Sequence, residues 1–405
     1  MRESRPQPLI LQWKKNHLPY DIVLNILERL PVKSVIRFRF VCKFWDSLIT
    51  TPYFISTHLN FNNKESHDNA NGYVIHMGSS RSSDRQVCTV ALDRTFDRIS
   101  EVQIPIDISL NSVQMVGSCN GLLCFAKHGS RKAIYFCNPS IRKFKTLPEP
   151  CLGHLKHVSV GFAYHSENND YKVVRISFSP LMSIVSLPEI EVYTLSSDSW
   201  RSIGIEFATN VIVYDYNCRL TIPLVSGALH WLAHIKEGEE KQGIDIIMAF
   251  DVNTEKFRKL AALPHVFTEK YRKLAAFPHI FIATNLCDRY LTSFKRKLAF
   301  ITFGISGQPG SPCSIWVMKE YGVVESWIKL SVIPFERVPR CIAFTEYGSL
   351  LIWSSNDHVE NQGSKFVSFD AETLHKKDLD IQYTSFAATF VESLVLLDEA
   401  NVICY

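Results

Sequence analysis

The sequence predicts an α+β chain of more than one domain, in which a small helical segment precedes an all-β domain. Apolar residues recur at helical spacing before residue 60, whereas short apolar runs separated by turn residues fill the chain from about residue 112 onward. Within this β region a sequence motif returns at intervals of roughly 50 residues, which is typical of a β-propeller of about six blades. The strand pattern alone also leaves a β-sandwich open.

The composition and charge are those of a globular chain. Its 405 residues are 46% hydrophobic and 21% charged, which is too apolar for a disordered polypeptide. The net charge of +4 comes from residues 1–60, which hold nine Lys and Arg against four Asp and Glu, since the remainder is nearly balanced. Scattered bases of this kind favour an acidic protein partner, and nucleic acid is not expected.

Cysteine usage favours a reducing compartment. Eleven cysteines occur without a Cys-x-x-Cys pair, so free thiols within apolar strands are the simplest interpretation. The N-terminal apolar stretch is too short for a secretory signal. The long uncharged stretch 108–126 contains Asn, Gln and Gly residues that lipid penalises. We therefore expect a cytoplasmic and/or nuclear protein with no membrane partner.

The segment 18–60 predicts three short helices with more apolar residues than they can bury among themselves. Pro19 favours the start of the first helix and Pro31 ends it. Six of the nine residues in 22–30 are apolar, which is more than one helical face. Because a segment of this length has too small a core of its own, one face needs a partner. That partner is either another polypeptide or the chain's own β domain.

The repeated motif of the β region places an aromatic or basic residue three positions before Leu or Ile. The copies are Phe144-Lys-Thr-Leu147, Trp200-Arg-Ser-Ile203, Phe257-Arg-Lys-Leu260, Trp327-Ile-Lys-Leu330 and Lys376-Lys-Asp-Leu379. Their last residues are spaced 56, 57, 70 and 49 positions apart. The interval of 70 contains a duplication, because FRKLAALPHVF at 257–267 recurs as YRKLAAFPHIF at 271–281. We expect one of the two copies to be extruded from its blade.

A second repeated element joins a Gly turn to an apolar strand, which we expect to be the inner strand of a blade. Its copies are Cys119-Asn-Gly-Leu-Leu-Cys-Phe125, Ser226-Gly-Ala-Leu-His-Trp-Leu232 and Tyr347-Gly-Ser-Leu-Leu-Ile-Trp353.

The stretch LPYDIVLNILERLPVKSVIRFRFVCKFWDSLITTPYFISTHL at 18–59 resembles the F-box of plant F-box proteins over the full motif. The resemblance implies a set of residues that bind a Skp-type adaptor: Leu18, Pro19, Ile22, Ile26, Leu27, Leu30, Pro31, Val32 and Val35. It implies a second set that forms the core of the motif: Val41, Cys42, Trp45, Leu48 and Ile49. Asn25 and Phe44 depart from the residues common in the family.

The segments VGSCNGLLCF at 116–125 and EVYTLSSDSWRSI at 191–203 are similar to the F-box-associated domain of plant F-box/kelch-type proteins, the broad class that includes S-locus F-box proteins. The Gly-Gly pair of true kelch repeats does not occur in this chain. The expected organisation is given by four ranges: 1–15 as a flexible N-terminus, 16–60 as the F-box, 61–110 as a linker with the first strands, and 111–405 as the kelch-like β domain.

The resemblance implies a non-catalytic substrate-recognition subunit of a Skp/cullin/F-box ubiquitin ligase. The adaptor would link the chain to cullin and RING subunits, and the β domain would bind an unknown target protein. Two alternatives remain. The chain could be an F-box scaffold that acts outside a ligase, or its propeller could bind a small ligand or a glycan.

Three short patterns hint at chemistry without completing a site, so we expect no enzyme activity, metal or cofactor. Gly117-Ser-Cys119-Asn-Gly121 has the spacing of a nucleophile elbow but is not followed by a helical pattern. Cys151, His154 and His157 are too few for a structural zinc site. His165-Ser-Glu167 lacks the cysteine pair of zinc deaminases.

Overall fold

A computed structural model of the chain describes most of residues 19–404. The described ranges are 19–68, 72–78, 86–92, 95–104, 113–127, 133–152, 157–178, 188–205, 211–213, 220–235, 244–262, 289–303, 312–335, 340–346, 348–354, 365–379, 381, 384–396 and 403–404. The predicted N-terminal segment 1–15 and the second copy of the duplication, at 271–281, lie outside these ranges.

The N-terminal region is helical, with one helix more than the sequence predicts. Its helices are α1 (Tyr20–Glu28), α2 (Val32–Phe38), α3 (Lys43–Ile49) and α4 (Pro52–Asp68). The first three match the predicted helices, and α4 continues into the range 61–110 that the sequence assigns to a linker and first strands. Within the described ranges, no helix is both long enough and apolar enough to cross a bilayer.

Six antiparallel sheets follow, each with four or five strands. Blade I holds β1 (Tyr73–Gly78), β2 (Gln86–Leu92), β3 (Arg98–Ile104) and β25 (Thr384–Phe390). Blade II holds β4 (Val113–Cys119), β5 (Leu122–Lys127), β6 (Ile134–Asn138), β7 (Lys143–Thr146) and β26 (Ile403–Cys404). Blade III holds β8 (His157–His165), β9 (Asp170–Phe178), β10 (Glu189–Thr194) and β11 (Ser199–Ile203).

The remaining three blades have the same strand order. Blade IV holds β12 (Val211–Val213), β13 (Leu224–Val225), β14 (Ala228–Ile235), β15 (Ile244–Asp251) and β16 (Phe257–Ala262). Blade V holds β17 (Arg289–Phe294), β18 (Lys297–Thr302), β19 (Cys313–Met318) and β20 (Trp327–Ile333). Blade VI holds β21 (Arg340–Phe344), β22 (Ser349–Ser354), β23 (Lys365–Asp370) and β24 (Lys376–Leu379).

The sheets close into a ring, which confirms the six-bladed β-propeller. The inner strands of successive blades contact one another, from β4 to β8 and from β17 to β21, and β25 contacts both β21 and β4. A β-sandwich, the alternative, is therefore wrong. The ring is closed by the C-terminal strand β25, which pairs with β1 so that Phe390 lies opposite Tyr73.

The two sequence repeats occupy defined places in the blades. Each copy of the first motif lies in the fourth strand of its blade, counted outward from the innermost strand along the hydrogen-bonded path. These strands are β7, β11, β16, β20 and β24. Each copy of the second motif enters β5, β14 or β22, which is the second strand of its blade. Our expectation of an inner strand is wrong here, because the Gly turn follows the innermost strand and does not precede it. Gly121 and Gly227 have φ values of 76° and 72° at these turns, in the region that favours glycine.

The hydrophobic core is divided between blade interfaces and one cluster that includes the helices. Leu27, Val35 and Ile49 of the helices belong to the same buried cluster as Phe136 and Leu394 of the propeller. The helical region and blade II therefore share one core. Other clusters lie between successive blades, as expected when sheet faces pack against each other.

Candidate functional site

The two Leu-Pro steps of the sequence shape the first turns of α1 and α2. Pro19 and Pro31 both precede a helix in an extended conformation, with ψ values of 144° and 145°. The Pro19 carbonyl accepts a hydrogen bond from the Ile22 amide at 3.0 Å, and the Pro31 carbonyl accepts one from the Ser34 amide at 2.8 Å. Proline suits these positions because its fixed φ is pre-organised for the first turn of a helix.

Large apolar side chains on α1 and at the corner between α2 and α3 are exposed. The exposed fractions are 49% for Tyr20, 47% for Ile22, 47% for Ile26, 85% for Phe40, 62% for Val41 and 55% for Phe44. We call these six residues the apolar helix surface.

Two contacts organise the apolar helix surface. Ile22 and Ile26 are four residues apart on α1 and so lie on the same side of that helix. The rings of Tyr20 and Phe44 meet edge to face, with centroids 6.3 Å apart, and this contact joins the start of α1 to α3. Monomeric soluble proteins rarely expose clusters of large apolar side chains, so such a surface marks a site of protein interaction.

The structure divides the predicted adaptor-binding residues into two groups. Pro19, Ile22, Ile26 and Pro31 are exposed, and Leu30 is half-buried. For these five, adaptor binding stays a prediction, and Leu18 lies outside the described residues.

The remaining predicted adaptor-binding residues, Leu27, Val32 and Val35, are fully buried against the chain's own residues. They have no surface for direct contact with a partner, and we correct their role to holding the helices together. The reason is tertiary packing: Leu27 and Val35 pack in the cluster that α4 and blade II complete, and the sequence of the first three helices does not show this covering.

The predicted core of the motif needs a similar correction. Leu48 and Ile49 are buried as expected, and Trp45 is half-buried with its ring 5.0 Å from that of Phe38. Val41 and Cys42, however, are exposed, so their assignment to the core is wrong. Cys42 is the extended residue that precedes α3, and the chain turns outward at this corner.

Sequence reasoning missed three residues of the apolar helix surface: Tyr20, Phe40 and Phe44. The available signal was the apolar excess of the segment, which predicts that some large side chains stay outside but does not say which ones. An ion pair fixes the corner that presents Phe40, since Arg39 Nε lies 2.8 Å from Asp46 Oδ1. Both groups are partly exposed, so this pair sets geometry more than it adds stability.

Of the three patterns that hinted at chemistry, the first lacks the backbone geometry of its motif. Cys119 ends β4 and is followed by the two-residue turn to β5, so the strand-to-helix geometry of a nucleophile elbow is missing. Burial raises the pKa of the Cys119 thiol to about 12, which makes it a poor nucleophile at neutral pH.

The structure describes the other two patterns in part. Cys151 is exposed and His154 lies outside the described residues. His165 is buried, and burial lowers the pKa of its imidazole. Across the described segments of the chain, no three His, Cys, Asp or Glu side chains are grouped closely enough to hold a metal ion.

The propeller has two unlike ends. At the end next to α4, strands are joined by short turns such as Asn120-Gly121 and Lys295-Arg296. Because strands alternate in direction, the strand ends Phe178, Ala262 and Ser354 lie at the opposite end, and more residues of the sequence separate each of them from the strand that follows.

Comparisons with known proteins give two family matches. A model described as "F-box associated beta propeller domain" matches residues 77–397, and a model described as "F-box domain" matches residues 16–57. F-box protein CPR1 of Arabidopsis thaliana is 27% identical over 403 residues, covering 94% of this chain and 89% of that protein.

Two further Arabidopsis thaliana proteins are similar over a large share of the chain. F-box protein At3g07870 is 26% identical over 333 residues, covering 77% of this chain and 71% of that protein. F-box/kelch-repeat protein At3g23880 is 27% identical over 330 residues, covering 79% of this chain and 80% of that protein.

Proposed function

The chain belongs to the F-box proteins that carry an F-box-associated beta propeller domain, and we propose that it is the target-receptor subunit of a Skp/cullin/F-box ubiquitin ligase. In this proposal the apolar helix surface binds a Skp-type adaptor, which links the chain to cullin and RING subunits. The propeller binds the target protein. The complex acts in the cytoplasm or the nucleus.

One observation carries the proposal: the apolar helix surface is exposed although the same helices share a core with the propeller. Leu27, Val32 and Val35 are buried against the chain itself, so the helices are already stably packed. The exposed side chains of Ile22, Ile26 and Phe40 are therefore not needed to hold the fold. Apolar anchors of this kind at the centre of an interface contribute most of the binding energy of a complex.

The proposed mechanism is proximity. In this proposal the chain supplies no reacting group, and a ubiquitin-loaded conjugating enzyme carries ubiquitin as a thioester. Holding a target lysine beside that thioester replaces a bimolecular encounter by an intramolecular one, which raises its effective concentration. The surplus of positive charge in residues 1–60 favours binding of an acidic adaptor. Such charges mainly raise the rate and the specificity of association.

We propose that the target binds at the propeller end opposite α4. Helix α4 lies at the end that carries the short turns, as the contact of Asn63 with Asn120 at the β4–β5 turn indicates. At the other end, successive strands are separated by more residues of the sequence. Connections on a rigid scaffold commonly carry recognition, since they change without disturbing the core.

Adaptor binding is tested by replacing two anchors of the apolar helix surface. In the double variant Ile22→Ala/Ile26→Ala, we expect the adaptor affinity to fall by roughly 30-fold or more, since a truncated anchor costs about 1–2 kcal/mol. Affinity is measured by titration calorimetry with a purified plant Skp-type adaptor. Both isoleucines are about half exposed, so the fold should be retained, which circular dichroism checks.

The matched control is Ile244→Ala, which removes an isoleucine that is 41% exposed on β15 of the propeller. Its adaptor affinity should equal that of the unchanged chain. Equal affinities for the double variant and the control would overturn adaptor binding at this surface. If the adaptor binds as expected but a reconstituted ligase transfers no ubiquitin to co-purified partners, the chain is a scaffold outside a ligase.

A further inference from the structure

Helix α4 belongs to the helical region and to the propeller at the same time. It contacts α1 and α3, and its residues Phe54, Ile55 and Leu59 are buried in the core cluster that also contains Leu394. The helices that carry the apolar helix surface are thus connected to the propeller through a packed helix. Polar contacts along α4 join the same two parts of the chain.

A relay of hydrogen bonds crosses α4 from the helices to the propeller. His58 Nε2 lies 2.9 Å from the Leu30 carbonyl oxygen, at the turn between α1 and α2. Asn62 Nδ2 lies 3.4 Å from His58 Nδ1 and 3.2 Å from the carbonyl oxygen of Glu392. His58 is therefore a neutral imidazole that donates from Nε2 and accepts at Nδ1. Burial lowers the pKa of His58, which favours this neutral form.

The relay ends on the segment 391–396, which is itself fixed to blade II. The buried side-chain amide of Asn138 donates to the carbonyl oxygens of Ser393, at 3.0 Å, and Val395, at 2.8 Å. The Ser393 amide donates to Ser140 Oγ at 3.2 Å. Because this segment directly follows the ring-closing strand β25, Glu392 has a fixed place on the propeller.

A second polar contact lies one residue further along α4. Asn63 Nδ2 lies 3.4 Å from Asn120 Oδ1, at the turn between β4 and β5. Two neighbouring asparagines thus bind two different places on the propeller, the segment 391–396 and the β4–β5 turn. Contacts at two separate points resist rotation of the helix, whereas a single contact would act as a pivot.

We propose that His58 and Asn62 are positioning residues that set the angle between the helices α1–α3 and the propeller. Neither residue belongs to the apolar helix surface, so they act on the orientation of a bound target and not on adaptor binding itself. This consequence rests on the proposed function. A defined angle keeps a target lysine at a defined distance from the thioester on the conjugating enzyme. A variable angle lowers the effective concentration of that lysine at the thioester.

The angle is measured on the free chain, so the test does not depend on the adaptor. Spin labels on unnatural amino acids are placed at the exposed positions Lys33, on α2, and Lys319, after β19. Electron resonance then gives the distribution of distances between them. We expect one narrow distribution for the otherwise unchanged chain, and a distribution about twice as wide or shifted for Asn62→Leu, which removes both donated bonds.

Variants of His58 distinguish the effect of its hydrogen bonds from the effect of its side-chain packing. His58→Gln offers an amide that can donate to Leu30 and accept from Asn62, so we expect the narrow distribution to return. His58→Leu fills the site without polar atoms and should broaden the distribution as Asn62→Leu does. Asn253→Leu is the matched control, since it removes an asparagine contact with Glu167 between two blades and leaves α4 untouched.

Each outcome decides the proposal. Equal distributions for Asn62→Leu and Asn253→Leu, or equal broadening in His58→Gln and His58→Leu, would overturn it. If Asn62→Leu does not fold by circular dichroism, Asn62→Ser is measured in its place and judged by the same comparison. Adaptor affinity within about twofold of the unchanged chain, with ubiquitin transfer lowered several-fold, is expected for the broadened variants. If the chain binds no adaptor, the proposed function is contradicted. The distance measurement still tests whether His58 and Asn62 set the angle between the helices and the propeller.

Discussion

Gly121 is the residue at which the β4–β5 turn meets the C-terminal segment. A Cβ atom on Gly121 would lie 2.3 Å from the Val391 carbonyl oxygen and 2.7 Å from Ser393 Oγ. Its φ of 76° is also strained for any residue with a side chain. We therefore expect Gly121→Ala to lower the free energy of unfolding by about 3 kcal/mol or more, from conformational strain and overpacking combined. Urea unfolding followed by tryptophan fluorescence measures this loss.

Gly227 provides the control for the same turn in another blade. Its φ is 72°, nearly that of Gly121, but a Cβ at this position would meet nothing within 4 Å. Gly227→Ala should therefore show only the conformational cost, about 1 kcal/mol. Equal losses for the two variants would mean that the close approach of Val391 to Gly121 does not matter for stability.

At single residues, the sequence predicts the kind of side chain that is needed better than the direction in which it points. The spacing of Ile22 and Ile26 places both on one side of a helix, and both are exposed. Leu27 lies on a neighbouring side and is buried, because α4 and the propeller cover that side. The covering residues include Leu394, far away along the chain, and no local pattern in 18–60 reports such a contact.

At the level of elements, the repeat of an aromatic or basic residue before Leu or Ile correctly predicts where blades recur. The outer strand of a blade has an exposed edge, so it combines apolar residues with charged ones, and this mixture is recognisable in sequence. The inner and second strands are both buried on both faces, as the burial of nearly all of β17 and β5 shows. Their order could not be read from composition, which explains the error over the Gly turn.

The strand β25 and the segment 391–396 are harder to predict for a different reason. Ring closure pairs β25 with β1, so the blade is built from the two ends of the domain. Blade I has no continuous repeat unit in the sequence, and its strands β1–β3 fall in the range 61–110, which the sequence assigns only loosely to a linker with first strands. The count of about six blades is still right, because the interval between motifs reflects the length of chain in one blade.

The segment 391–396 yields a prediction at this scale. Leu394, Val395 and Leu396 are buried against the helices and blade II. A chain that ends after Phe390 keeps the ring-closing strand but loses these side chains. We expect its free energy of unfolding to fall by several kcal/mol, since a buried Leu or Val contributes roughly 1.5–3 kcal/mol. The loss is measured by urea unfolding.

The comparison is a chain that ends after Leu396, which lacks only β26 among the described elements. That strand pairs Ile403 with Phe144 and Cys404 with Lys143, so its removal should cost about 1 kcal/mol or less. A similar stability for the two shortened chains would show that the segment 391–396 adds nothing beyond the ring closure.

At the scale of the whole molecule, the helices and the propeller share a core although they match separate family models. Val35 on α2 is fully buried in the cluster that also contains Phe136 of β6. Ring closure joins blade I to blades II and VI, so no blade has a free interface within the described segments of the chain. Unfolding the helices or any blade would therefore expose the core of its neighbour.

This arrangement predicts that the helices and the propeller unfold in a single cooperative transition. Val35→Ala should lower the free energy of unfolding by about 2 kcal/mol. The slowest-exchanging amides of α2 and those of β22 should then both exchange roughly 30-fold faster. The reverse experiment is Ile352→Val on β22 in blade VI, which is two blades away from blade II. It should speed exchange in α2 as much as in β22, because both open only when the whole molecule unfolds. If α2 exchanges at an unchanged rate in Ile352→Val, the helices open separately from the ring, and the shared core does not couple them.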